Sequence, residues 1–279
     1  MGKKFLTDIF NDDEADVITF GILLNESDKK ILESIRNASW FVEIFDLEKK
    51  KNLFNLKTAD IGDIEVENLI EISNKVNEIL EKRKIPLMLS YSHLPTLYSF
   101  SSFPKNTKLI VFDAHSDLAD EYADEKIPGT GLETPTANGA TWLRRLSERI
   151  DSADICIIGL RSCDEEIFEY IERNKILYIT SNQIKDNIDS VHEKISKFVG
   201  NSNFYISLDV DVFDPSVAPA VDYPEPDGIT FNQFKTIING LERKLVGMDA
   251  CCLKPIEGNH VTEFLAVRSI FEILGRAFF

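Results

Sequence analysis

The sequence predicts an α/β protein whose mainly parallel central sheet is covered by helices on both faces. Short apolar runs of strand length alternate along the chain with segments in which apolar residues recur at helical spacing. Strands that alternate with crossover helices form parallel sheets, and the crossovers cover both faces. The length of 279 residues fits one large α/β domain, and neither a linker nor an internal repeat interrupts the alternation. We therefore predict a single three-layer α/β/α domain over residues 1–279.

The predicted strands are short runs of mostly apolar residues. The run from Leu109 to Phe112 is the clearest, because an unbroken apolar run is typical of a strand buried on both faces of a parallel sheet. Gly62 is predicted to end the third strand in a turn. The strands are predicted over residues 17–24, 40–45, 58–63, 86–91, 109–112, 153–159, 176–179, 204–208 and 245–253.

The predicted helices lie between these strands. Between Val66 and Lys82, for example, the apolar residues fall mostly three or four positions apart. Thr230 is predicted to cap the helix that follows it. A long loop over residues 119–138 lies among them, and loops of that length inside a compact domain are usually functional or disordered. The helices are predicted over residues 28–36, 66–82, 140–149, 164–173, 184–198, 230–242 and 261–279.

Composition excludes several classes of partner. The formal net charge of -16, with no concentrated basic patch, argues against binding to nucleic acid. The first residues contain no apolar stretch long enough for a signal peptide or a membrane span. Four cysteines in a chain of this length do not make a disulfide framework. We predict a cytoplasmic protein with a small-molecule substrate and with no nucleic-acid or membrane partner.

Six potential metal ligands follow predicted strands. Three of them come directly after the strand 109–112, two follow the strand 204–208, and one lies just beyond the strand 86–91. The carboxyl ends of parallel strands share one edge of the sheet, where open α/β sheets place their active sites. The six residues are His93, Asp113, His115, Asp117, Asp209 and Asp211.

This mixture of carboxylates and imidazoles suits manganese or another borderline divalent ion. It exceeds what one tetrahedral ion needs, whereas two ions about 3.5–4 Å apart would use shared carboxylates. The alternative is a solvated acidic loop, or strand-end aspartates that cap helices. That alternative is the better interpretation of any single residue, but two clusters that each leave a buried strand favour a metal site.

Two motifs carry a resemblance to a known family. Residues 113–117 spell D-A-H-S-D, and residues 207–219 spell S-L-D-V-D-V-F-D-P-S-V-A-P. Both resemble the signatures of the ureohydrolase family, the arginases and agmatinases. The resemblance implies an arginase-like fold, two Mn²⁺ per chain and a homo-oligomer, either a trimer or a hexamer. It also implies a hydrolase most like agmatinase, which cleaves a non-peptide C–N bond of a linear guanidine or amidine.

The resemblance also assigns ligands residue by residue. Two residues, Asp113 and Asp209, would bridge the ions, and Asp117 would in addition accept a hydrogen bond from the attacking hydroxide. The first ion would be held by His93, Asp113, Asp117 and Asp209. The second ion would be held by Asp113, His115, Asp209 and Asp211.

The sequence departs from the family pattern on the substrate side. Tyr91 replaces a glycine before the first histidine, which implies a reshaped site. Asn138 stands where the family has a proton-relaying histidine, so protons would leave through water or Asn138. Cys252 stands at the position where the family has a glutamate that binds the substrate guanidinium. A thiol is a poor partner for this planar cation, which favours a carboxylate. Asp164 would meet a substrate amine or, equally well, cap a helix.

These departures leave alternatives open. Agmatine and arginine should be poor substrates unless Glu133, Asp120 or Glu121 supplies the missing carboxylate. Cys251 and Cys252 suggest a redox or metal role, but two small apolar residues in a buried strand are the more common case. A catalytically impaired paralogue that retains its metals for a structural or assembly role is the main rival. A single-zinc, deacetylase-like amidohydrolase is less favoured, because it would not need both Asp117 and Asp211.

Overall fold

A computed structural model describes residues 4–5, 10–123, 132–241 and 244–279. Within these residues, the strands are β1 Val17–Leu23, β2 Phe45–Asp46, β3 Lys51–Asn52, β4 Thr58–Glu65, β5 Ile85–Leu89, β6 Lys108–Phe112, β7 Ile155–Leu160, β8 Leu177–Thr180, β9 Phe204–Asp209 and β10 Leu245–Cys251. Eight of them form one sheet in the order β4-β1-β5-β10-β9-β6-β7-β8, and its neighbouring strands all pair in parallel. A separate pair, β2 and β3, is antiparallel.

Helices cover both faces of this sheet. The buried residues form two apolar clusters, one on each side, and α1 and α6 to α9 contribute to one cluster while α2 to α5 contribute to the other. This arrangement confirms the predicted three-layer α/β/α architecture. None of the described helices is long and apolar enough to cross a membrane. The helices are α1 Asp28–Ser39, α2 Ile70–Glu81, α3 Pro95–Phe100, α4 Trp142–Ser147, α5 Glu165–Asn174, α6 Ser181–Asp186, α7 Ile188–Val199, α8 Phe231–Gly240 and α9 Val261–Phe278.

Two predicted elements were wrong. The predicted strand 40–45 is mostly a turn after α1, because Trp40 and Phe41 stay exposed instead of entering the sheet. The predicted helix 184–198 is divided into α6 and α7 at Asn187. The side chain of Asn187 accepts a hydrogen bond from the backbone N–H of Ser190 and so starts a new helix.

Other predicted strand and helix boundaries differ from the observed ones. The strand expected to end at Gly62 continues to Glu65, because Gly62 adopts a left-handed φ of 89° where the register between β1 and β4 shifts. The helix expected from residue 66 begins at Ile70, and the short helix α3 was not predicted. Thr230 caps α8 as predicted. Residues 242–243 of the predicted helix and 124–131 of the predicted loop lie outside the described residues.

Candidate metal centre

The candidate site lies at the carboxyl ends of four adjacent central strands. In the order of the sheet these strands are β5, β10, β9 and β6. His93 follows β5, and the D-A-H-S-D motif follows β6. The second acidic motif follows β9, whose last residue is Asp209. The order of the strands therefore collects at one edge residues that are far apart in the sequence.

His93 lies at the centre of the first group of side chains. Its Nδ1 atom lies 2.9 Å from Oδ2 of Asp117 and 3.3 Å from Oδ2 of Asp113. The same nitrogen lies 3.5 Å from Oδ2 of Asp209. These are the four residues that the family resemblance assigns to the first ion.

His115 lies at the centre of a second group. Its Nδ1 atom lies 2.9 Å from Oδ2 of Asp211 and 3.6 Å from Oδ1 of Asp113. The carboxylate of Asp113 thus lies between the two histidines, and each histidine with its nearest carboxylates is compact enough to hold an ion. The structure brings all six predicted ligands together.

Backbone N–H groups hold one oxygen of three carboxylates and leave the other facing the cluster. Asp209 Oδ1 accepts from the N–H of Asp211 at 2.8 Å, and Asp211 Oδ1 accepts from the N–H of Ala114 at 3.0 Å. The N–H of His115 donates to Asp113 Oδ1 at 2.6 Å. The fourth residue, Asp117, adopts a left-handed φ of 52°. Backbone N–H groups thus orient three of the four carboxylates toward the cluster.

A chain of buried hydrogen bonds orients His93. Ser207 Oγ donates its hydrogen to Asp249 Oδ1 at 2.7 Å and lies 2.8 Å from His93 Nε2. Because the serine hydrogen is already used, His93 must donate from Nε2, and its Nδ1 lone pair then faces the carboxylates. Tyr205 donates to the other oxygen of Asp249 at 2.7 Å. Such supporting partners fix the tautomer of metal-binding histidines.

The electrostatics of the cluster fit a bound cation. Among the described residues, the buried atoms His93 Nδ1 and Asp113 Oδ2 have no hydrogen-bond partner, which is costly unless an ion satisfies them. Burial, followed by the charges of Asp211 and Asp113, raises the pKa of Asp209 well above its ordinary value. Burial and the charge of Asp113 raise the pKa of Asp117 to about 6. The donor set and its crowded negative charge therefore fit divalent cations.

Sequence reasoning missed several supporting residues. Trp142 donates from Nε1 to Asp117 Oδ2 at 2.7 Å, and its ring packs on the ring of His93 with centroids 4.5 Å apart. Arg161 donates to backbone carbonyls after β9, including that of Asp211 at 2.7 Å. Ser207 lies inside the second motif, residues 207–219. No local signal in the sequence indicated Trp142, because its partner is 25 residues away.

A cavity of about 620 Å³ opens over this cluster. The three residues predicted to act on the substrate side, Asn138, Asp164 and Cys252, all line it. Tyr91 lines it as well, and its hydroxyl donates to Asp222 on the opposing loop. Tyr91, which replaces a glycine of the family pattern, is thus part of the pocket wall.

The side chain of Asn138 is used to hold the loop before α4. Its Nδ2 donates to the carbonyls of Tyr122 at 2.9 Å and Thr134 at 2.8 Å. Its Oδ1 accepts from the backbone N–H of Ala140 at 3.0 Å. These bonds give Asn138 a structural role, and its predicted part in proton transfer stays a prediction.

One of the three candidate replacement carboxylates faces the pocket. Glu133 lines the cavity and accepts a hydrogen bond from Ser92 Oγ at 2.5 Å, and burial raises its pKa. Asp120 is instead paired with Arg145 at the surface, and Glu121 is exposed outside the pocket lining. Cys252 offers no charge, since its hydrogen bond with Cys251, together with burial, raises the pKa of its thiol well above the ordinary value.

Asp164 occupies the N-cap position of α5, as the helix-cap interpretation requires. Its side chain, however, makes no capping hydrogen bond and is exposed at the rim of the cavity. The carboxylate is therefore available to a ligand, although both interpretations of this residue stay open.

The model of the arginase family matches residues 32–275 of the sequence. The chain belongs to the arginase family. It is 35% identical to the uncharacterized 32.2 kDa protein in the hmfB 3' region of Methanothermus fervidus, over 77% of this chain and 73% of that protein. It is 26% identical to the agmatinase of Bacillus subtilis (strain 168), over 88% of this chain and 85% of the agmatinase.

The fold agrees with that family. The crystal structure of agmatine ureohydrolase of Thermoplasma volcanium superposes with a TM-score of 0.86 at 29% identity, covering 99% of this chain and 94% of that one. The predicted arginase-like fold and the predicted membership of the family are both confirmed.

Proposed function

We propose that this chain is a dinuclear-manganese hydrolase that cleaves a non-peptide C–N bond of a linear guanidine or amidine. The observation that carries the proposal is the pair of ligand groups around His93 and His115, which share the carboxylate of Asp113. The names of the agmatinase and the agmatine ureohydrolase among its relatives support a guanidino compound as the substrate.

The proposed ligand sets are those that the family resemblance implies, and the distances around the two histidines support them. One ion would be held by His93, Asp113, Asp117 and Asp209, and the other by Asp113, His115, Asp209 and Asp211. The two Mn²⁺ ions would supply Lewis acidity, which lowers the pKa of water enough to generate a nucleophile near neutral pH.

The chain's own residues orient the reactants. Asp117, fixed by the indole N–H of Trp142, would accept a hydrogen bond from the attacking water and so direct its lone pair. Glu133 would bind the guanidinium or amidinium group, because among the three predicted replacements for the family glutamate it is the one that lines the pocket. Asp164 at the rim would bind a distal amine, and Cys252 would contact the substrate as a neutral group.

A panel of guanidino, amidine and ureido compounds tests this proposal with Mn²⁺-loaded protein. Turnover of a guanidino or amidine compound, with release of urea or the corresponding amide, is expected. A charged substrate should be preferred over its neutral ureido analogue, because Glu133 needs a cationic partner. If the metal-loaded protein turns over none of these compounds, the hydrolase proposal fails.

The second candidate is a catalytically impaired paralogue that retains its metals for a structural or assembly role. The observation that favours it is the side chain of Asn138, whose amide is bound to backbone groups of its own loop and stands where the family has a titratable histidine. Full metal occupancy without turnover of any compound in the panel would support this candidate. Occupancy with turnover would reject it.

Two further expectations, the cellular location and the oligomeric state, do not depend on the reaction. A cytoplasmic location and a trimeric or hexameric assembly stay predictions from the sequence and its family resemblance. Light scattering of the purified chain measures the assembly directly, and a monomer at micromolar concentration would contradict it.

A further inference from the structure

Two adjacent cysteines end the central strand β10 beside the candidate metal centre. Cys251 is the last residue of the strand and is buried, and Cys252 follows it. Along an extended strand, neighbouring side chains point to opposite faces of the sheet. Cys252 instead adopts a left-handed φ of 65°, which is uncommon for a residue other than glycine. This turn brings the two sulfur atoms to the same side.

The sulfur atoms lie among possible metal ligands. Both Sγ atoms, a ring nitrogen of His93 and a carboxylate oxygen of Asp209 all lie within 4.8 Å of one another. His93 Nδ1 is buried without a hydrogen-bond partner among the described residues. Cys251 Sγ lies 3.8 Å from the Leu208 carbonyl and also interacts with the side chains of Cys252 and His93. The four groups are therefore close enough together to share one ion.

The chemistry of this set differs from that of the two carboxylate groups. Two sulfurs, one imidazole and one carboxylate match the tetrahedral sites that bind zinc. Thiolates select softer ions, and sites of mixed ligands bind Zn²⁺ more tightly than Mn²⁺. Each thiol would release its proton to solvent as the ion binds, because a cysteine ligates as the thiolate.

We propose that His93, Asp209, Cys251 and Cys252 form a four-ligand site for a thiophilic divalent cation of the zinc class. The site shares His93 and Asp209 with the proposed manganese pair, and to that extent it rests on the proposed function. A zinc-class ion at this position would take two ligands away from manganese. The two metals therefore compete, and the ratio of available ions decides which site is filled.

Cobalt is a suitable probe, because Co²⁺ replaces Zn²⁺ and gives an intense sulfur-to-cobalt charge-transfer band in the near ultraviolet. Metal-stripped, reduced wild-type protein titrated with Co²⁺ should develop this band. Either Cys251→Ser or Cys252→Ser should weaken it, and the two together should abolish it. Cys163→Ser, which removes an exposed cysteine outside the cluster, is the matched control and should retain it.

A zinc-loaded wild-type sample keeps the test independent of whether the variants fold. X-ray absorption should show two sulfur ligands at about 2.3 Å. Fewer than two sulfurs, no charge-transfer band, or a band that neither substitution at Cys251 or Cys252 changes would overturn the proposal. Added Zn²⁺ should also lower the manganese bound per chain, and unchanged manganese at zinc saturation would contradict the shared ligands.

These readouts separate the two proposals. Failure of the sulfur site would leave manganese binding and turnover of the guanidino panel unaffected. Failure of the hydrolase proposal appears as absent turnover, whatever the spectrum shows.

Discussion

The floor and the walls of the pocket are built in different ways. The floor consists of the proposed metal ligands at the ends of β5, β6 and β9, and backbone N–H groups hold the carboxylates of Asp113, Asp209 and Asp211. The walls consist of single side chains on separate loops, such as Glu133 and Tyr223. The floor agrees with the family pattern at each ligand, whereas the walls depart from it at Asn138 and Cys252. The central sheet thus positions the proposed metal ligands, while the loops carry the residues that differ from the family pattern.

The largest effect is expected on the floor, from Asp113→Ala. This carboxylate lies between both histidines, so its loss should remove both ions and the activity with them. Loss of metal-generated nucleophile and charge stabilisation should cost more than about 10³-fold in rate. Elemental analysis after dialysis against manganese-free buffer measures the ions per chain.

Asp120→Ala is the matched control, since Asp120 is an exposed aspartate outside the cluster. It should keep the full metal content. If Asp113→Ala also kept both ions, the metal centre would have been assigned to the wrong residues.

The same contrast explains how much the sequence could predict. The clustering of the proposed ligands was predictable, because they lie in two short motifs and after one strand end, and β6 and β9 are neighbours in the sheet. The supporting contact from Trp142 to Asp117 was not, because it joins a helix to a loop across 25 residues. The strand predicted over 40–45 failed for a related reason: its apolar residues looked buried, but Trp40 and Phe41 are exposed. Local sequence patterns predict where strands end, but they do not predict contacts between a helix and a distant loop.

On the wall, Glu133→Gln should have the next largest effect. It removes the charge that would bind the guanidinium while keeping the hydrogen-bonding shape of the side chain. Loss of one partner of a buried charged pair costs about 2–5 kcal/mol, so kcat/KM should fall about 30- to several-thousand-fold. Steady-state kinetics on the best guanidino substrate measures this fall.

Manganese content should not change in Glu133→Gln, because Glu133 is absent from the two ligand groups. Glu121→Gln serves as the control, since it changes an exposed glutamate outside the pocket lining. An unaltered kcat/KM in Glu133→Gln would show that another group binds the substrate cation.

A smaller effect is expected beneath the floor, from Ser207→Ala. The change removes the hydroxyl that accepts from His93 Nε2 and donates to Asp249, so His93 loses its orientation. Loss of such a supporting contact lowers metal affinity about 10- to 100-fold. Manganese titration followed by the electron paramagnetic resonance of the free ion measures the affinity.

Tyr205→Phe distinguishes an effect on manganese affinity from an effect on the stability of the fold. Tyr205 donates to the same buried Asp249 but does not touch His93, according to the hydrogen bonds of the described residues. Its loss should lower the free energy of unfolding by about 1–3 kcal/mol and leave manganese affinity nearly unchanged. Equal losses of affinity in both variants would mean that Ser207 acts only by stabilising the core.

The smallest effect is expected at the rim, where Asp164 has two open interpretations. As a ligand for a distal amine, it forms an exposed ion pair worth up to about 1 kcal/mol, so Asp164→Asn should lower kcat/KM no more than about fivefold. The fall should occur only with substrates that carry the amine. As a helix cap, Asp164 should be replaceable by asparagine, whereas Asp164→Ala should lower the free energy of unfolding by about 1 kcal/mol.

The absence of a capping hydrogen bond from the Asp164 side chain favours the first interpretation. We therefore expect Asp164→Asn and Asp164→Ala to lower kcat/KM alike for an amine-bearing substrate, and to unfold at nearly the same denaturant concentration as the wild type. The loss should disappear in high salt, since an exposed ion pair is screened. A clear loss of stability in Asp164→Ala, with kcat/KM unchanged in Asp164→Asn, would instead assign this carboxylate to the start of α5 and remove it from the substrate site.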